Sequence, residues 1–79
     1  MVVTSSTLDA APLGTAVVVR VVAGPQALVR RLAELGIRRA AIITPLHRTS
    51  GGGRVVDVAG SRIALADGVL RTIETESSA

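Results

Sequence analysis

A mainly β chain, folded into a small barrel with one inserted helix and a short helical turn near its end, is the fold class the sequence predicts. Three observations carry that expectation. Short runs rich in valine and isoleucine recur between glycine and proline punctuation. One segment alone, "PQALVRRLAELG", spaces its leucines as a helix does. The order is strand, helix, then several short strands, with no internal repeat.

The elements follow in turn. Residues 1–6 read as a flexible N-terminal tail, 7–76 as a single domain, and 77–79 as a flexible C-terminal tail. "TLDAAPLG" carries Pro12 and Gly14, turn residues ahead of a strand. "AVVVRVV" then predicts a strand over about Ala16–Val22, with Arg20 marking a face that reaches solvent. Gly24-Pro25 ends it and opens a helix, Pro25 suiting the first helical position. Leu28, Leu32 and Leu35 lie on one stripe flanked by Val29, whereas Gln26, Arg30, Ala33 and Glu34 point away. Gly36 stands where a left-handed residue closes a helix, and Ile37 is placed to pack back on the helix end. "AAIITPLH" predicts a second strand over about Ala40–His47, and Pro45 makes it an edge strand or a bulged one. "RTSGGG" reads as a loop, and "RVVDVA" with "SRIAL" as a hairpin turning near Gly60-Ser61. "ADGVLRTIET" holds one helical turn, weakened by Gly68, and a last strand around Thr72–Thr75.

Composition excludes several functions. In 79 residues there is no cysteine, so disulfides, zinc–thiolate sites and thiol catalysis are absent. There is no Phe, Tyr or Trp, so the core must be aliphatic. Without aromatic rings the chain also lacks the stacking platform of single-strand binders and the lined groove of proline-peptide binders. The formal charge of +3 comes entirely from arginine and supports only weak phosphate binding, which argues against nucleic acid as a partner. No run is long and apolar enough to span a membrane, and "MVVTSSTLDA" lacks the parts of a signal peptide. A cytoplasmic protein is the expectation.

No catalytic, cofactor or metal site emerges from the motifs. Gly51-Gly52-Gly53 lacks the lysine and the following helix of a phosphate loop, and reads as a hairpin loop. His47 has no acid near it in sequence and reads as a surface residue at a strand end. The six acids make no metal-binding spacing; whether Asp67 meets Glu74 and Glu76 in space is a matter for the fold, not the sequence. No small-molecule substrate is implied. The arginine pairs of "LVRRLAELGIRRA" form a mildly basic patch in which Arg30 and Glu34 stand four apart on the helix. Arg38 and Arg39 fall in the link beyond it. Arg30, Glu34, Arg38 and Arg39 are therefore the candidate partner-binding residues.

Taken together, the chain resembles the FeoA family of small bacterial ferrous iron transport proteins over about Thr7–Thr75. Leu8 and Gly14 precede the first strand, "LAELG" ends the helix, and Val56, Val58, Gly60, Ile63, Ala64 and Leu65 match the family hairpin. Ile73 and Thr75 match its closing strand. The resemblance implies an SH3-like barrel and, at the level of the family, an association with iron and transition metals. It also implies a non-enzymatic accessory role beside a FeoB-like membrane GTPase permease. A similar fold in the C-terminal domain of iron-dependent repressors implies the alternative, a regulatory or weakly nucleic-acid-binding domain. Self-association through the edge of "AAIITPLH" is a further expectation. Four positions depart from the family pattern: Arg39 and Ala40 replace proline and glycine after "LGI", Pro45 interrupts a strand, and Gly68 enters the short helix. If Ala40 must take a positive φ, it is strained, or the turn has been rebuilt.

Overall fold

The computed structural model describes residues 5–78. Its strands are β1 (Ser5–Thr7), β2 (Val17–Val22), β3 (Ile42–Arg48), β4 (Arg54–Val58), β5 (Ser61–Leu65) and β6 (Ile73–Ser77). Helix α1 (Gln26–Glu34) lies between β2 and β3, and the single turn α2 (Asp67–Leu70) between β5 and β6. All strands join one antiparallel sheet in the order β1-β6-β2-β3-β4-β5. The mainly β architecture with one inserted helix is the one expected, with β1 and β5 left as the two edges.

The sheet curls about an aliphatic core in which Leu8, Val19, Ile37, Ile43, Val56, Leu70 and Ile73 are fully buried. Alternation on β4 places Val58, Val56 and Arg54 inward. Arg54 is 5% exposed, and its Nη1 donates to the carbonyls of Leu8 at 3.2 Å and Ala11 at 2.6 Å. It thereby ties β4 to the segment that follows β1, across the curl of the sheet. Buried carbonyls need donors, and a guanidinium can serve two at once.

Several local details differ from the sequence expectation. Ser5 and Ser6, placed in the tail by sequence, join Thr7 in β1, held against β6 and by the Thr75 hydroxyl donating to the Ser6 carbonyl at 3.0 Å. At the other end β6 runs on to Ser77, the first residue assigned to the C-terminal tail. Residues 1–4 and 79 of the two tails lie outside the described residues. Pro25 stands at the N-cap rather than the first helical position. Leu35 is 45% exposed instead of completing the leucine stripe. The cause is the helix stop: Gly36 at φ +93° reverses the chain, and Ile37 takes the buried place. Ile37 N–H bonds the Leu32 carbonyl at 2.8 Å and Gly36 N–H bonds that of Ala33 at 3.0 Å, a Schellman closure.

Pro45 does not mark an edge. β3 lies between β2 and β4 in strand order. The bulge expected at Pro45 is present, as the β3–β4 register shifts between Pro45 and His47. Among the described residues β2 pairs with β3 only at Ile42 and Ile43, so the N–H that Pro45 lacks leaves no ladder bond to β2 unmade. The Pro45 carbonyl accepts from Gly14 N–H at 2.6 Å. The β4–β5 hairpin turns through Ala59 and Gly60, both at positive φ, one residue before the expected pair. Gly68 is accommodated in α2, exposed, with open space around it.

Candidate functional site

The chemistry-bearing residues follow from the path of β2. A bulge at Arg20 shifts the β2–β6 register between Val19 and Val21. Alternation is reset there, so Val17 and Val19 face the core while Val21 emerges 47% exposed. Pairing of β2 with β3 ends at Val18, extended only by Val19 N–H to the Ala41 carbonyl and Ala40 N–H to the Val19 carbonyl. From Arg20 to Val22, β2 therefore has β6 on one side and, among the described residues, no strand on the other.

Beside that flank opens a groove of about 670 Å³. Val18, Val21, Val22 and Val29 give it an apolar lining, and Arg20, Arg38, Arg39 and Glu76 supply its charges. The wall opposite β2 is the link from α1 to β3. Ala41 N–H bonds the Arg38 carbonyl at 2.9 Å, closing a turn with Arg39 and Ala40 at its centre. Ala40 has φ +73°, the type II position that glycine ordinarily fills, so the family departure is met by a strained alanine and not by a rebuilt turn.

Of the four candidate partner-binding residues, Arg38 and Arg39 line this groove and Arg30 and Glu34 do not. All four are exposed. Among the described residues, Arg30 and Glu34 form no ion pair, and Arg38 and Arg39 have no acidic partner. Arg20 lies 3.4 Å from Glu74 and 3.8 Å from Glu76, both long contacts between partly exposed groups. Sequence reading missed Arg20 and the valines as site residues, because a bulge cannot be read from one strand alone. It also passed over Arg54, although the alternation of Val58 and Val56 points to an inward side chain there.

The remaining candidates stay apart. His47 is exposed near the end of β3, and Gly51-Gly52-Gly53 belongs to the β3–β4 loop. Asp67 pairs with Arg71 at 2.9 Å rather than meeting Glu74 and Glu76. Among the described residues no group of three or more histidines and acids is arranged to hold a metal ion. No helix among them is long and apolar enough to cross a membrane.

Comparison with protein families matches residues 6–77 to the FeoA domain. The chain belongs to the FeoA family. A search of curated proteins finds no match. Among solved structures, the FeoA protein of Chlorobium tepidum is 25% identical with a TM-score of 0.86, over 94% of this chain and 71% of that one. FeoA of Stenotrophomonas maltophilia, solved with zinc, is 29% identical with a TM-score of 0.69, over 86% of each chain. That protein is described as an SH3-domain protein and a candidate ferrous iron transport activating factor. A manganese-dependent transcriptional repressor shares the fold at 20% identity and a TM-score of 0.83, this chain spanning 44% of its length. The SH3-like FeoA fold is thus the frame in which the groove sits.

Proposed function

We propose that this FeoA domain is a non-enzymatic accessory protein of ferrous iron uptake, acting in the cytoplasm by docking on a FeoB-like membrane GTPase permease. The family match over residues 6–77 is the observation that carries this reading. The exposure of Arg38 and Arg39, with no acidic partner among the described residues, supports it, since such guanidiniums can meet a partner's carboxylates. The docking face comprises Arg30, Glu34, Arg38 and Arg39.

Affinity capture of the tagged chain from gently solubilised cells tests the reading. A co-eluting polytopic GTPase is the expected result, and its loss on charge reversal at the four positions would map the face. Capture that survives reversal removes the face; an eluate without the permease removes the partner. A second reading, a regulatory domain like that of a metal-dependent repressor, is favoured by the repressor that spans 98% of this chain. Nucleic acid co-eluting in a salt-sensitive manner would favour it instead.

A further inference from the structure

The geometry points to a specific occupant for the β2 groove: an extended acidic segment of a partner protein, carrying apolar side chains at alternate positions. The inference deepens the docking reading above and rests on it. Three features of the groove converge on this chemistry.

The first is backbone. Between Arg20 and Val22, β2 runs beside the groove with no strand on that flank among the described residues, the setting in which an extended peptide can add itself to a sheet. The second is the lining. Val21 is 47% exposed, and Val18 is paired with Ile42, itself 60% exposed, so an apolar shelf continues from the groove onto β3. In a small soluble domain such neighbouring exposed aliphatic groups are more than scattered surface residues. The third is charge. Among the described residues, three arginines border the groove against Glu76; Arg20 already lies near Glu74 and Glu76, whereas the two on the turn have no acidic partner.

An extended peptide turns successive side chains to opposite faces. One face would rest on the valines, while the other would carry its carboxylates upward, where the long arms of Arg38, Arg39 and Arg20 can reach them. A cationic or wholly polar segment would satisfy only part of this surface. The strained turn has a place in the arrangement as well. Ala40 at φ +73° is tied to Val19 at 2.8 Å, which keeps Arg38 and Arg39 beside β2.

The test uses the isotope-labelled full chain and three acetylated hexapeptides: alternating glutamate and valine, alternating lysine and valine, and alternating glutamate and serine. Amide shifts are followed by NMR titration. The glutamate–valine peptide should move the amides of residues 18–22 and 37–41, and bind about tenfold or more tightly than either control. Its affinity should fall as ionic strength rises from about 0.05 to 0.3 M. The double variant Arg38→Glu, Arg39→Glu should weaken it about tenfold or more while keeping native amide dispersion. Arg62→Glu, on the exposed side of edge strand β5, should leave it unchanged. No shift at millimolar peptide, equal binding of the lysine peptide, or shifts outside the groove would overturn the inference. Permease capture run in parallel separates the two levels. Capture without peptide binding leaves the accessory role standing and removes this occupant. Peptide binding without capture keeps the groove chemistry and removes the permease as its source.

Discussion

Replacing Ala40 with glycine is expected to stabilise the domain, although it deletes a methyl group and adds backbone freedom. Ala40 sits at φ +73°, and the chain cannot relax it locally. Its N–H is bonded to the Val19 carbonyl at 2.8 Å, and the next N–H closes the turn on the Arg38 carbonyl at 2.9 Å. The Ala41 carbonyl in turn accepts from Val19 N–H at 2.9 Å. Relaxing φ would break this junction between β2 and β3. Left-handed backbone costs an L-residue with a Cβ about 1–2 kcal/mol. Glycine returns about 0.4–1 kcal/mol of that by making the unfolded chain more flexible. The net gain is about 0.5–1 kcal/mol, which for a domain of this size raises Tm by about 2–8 °C.

Calorimetry of the wild type and Ala40→Gly checks the sign. Ala64→Gly is the matched control, because Ala64 is exposed in β5 and is not among the residues at positive φ. There glycine brings only added flexibility and should lower stability by about 0.5–1 kcal/mol. A Tm for Ala40→Gly at or below wild type, moving in parallel with Ala64→Gly, would refute the strain argument.

Other outcomes follow from the same geometry. Arg54→Met should lower stability by about 2–4 kcal/mol in urea denaturation, because the Leu8 and Ala11 carbonyls lose a buried donor. Gly53→Ala should be destabilising by about 1–3 kcal/mol, since its Cβ would lie 2.7 Å from the Leu65 backbone oxygen, which cannot swing away. Gly68→Ala meets open space in α2 and should add about 0.5 kcal/mol, read as a raised Tm. Ala59→Asn should also raise Tm, because Ala59 at φ +52° and Gly60 at φ +87° form a turn in which asparagine tolerates the left-handed conformation better than alanine.

Much of the fold was legible because the signals are local. The valine-rich run before Gly24-Pro25, the leucine spacing of α1 and the glycine at position 36 each act within a few residues of themselves. Their structural outcomes, β2, α1 and the Schellman closure, appear within a residue or two of expectation. The strain at Ala40 was raised only by comparison with the family pattern, which places glycine there, and the backbone then showed the positive φ.

The candidate site was only half legible. Arg38 and Arg39 stand out in the sequence as exposed charges after a helix stop, but Arg20, Val18 and Val21 do not. Their roles depend on the register shift against β6 and on where pairing with β3 ends. Pro45 shows the same boundary: its bulge follows from proline's missing N–H, whereas its place in an interior strand follows from strand order. Leu35 and Arg54 trade the places that polarity suggests, the leucine exposed and the arginine buried. Composition and periodicity by themselves determined an aliphatic, mainly β domain with one amphipathic helix between its strands. Tertiary structure alone decided the groove, because pairing between strands distant in sequence carries no local signature in either strand.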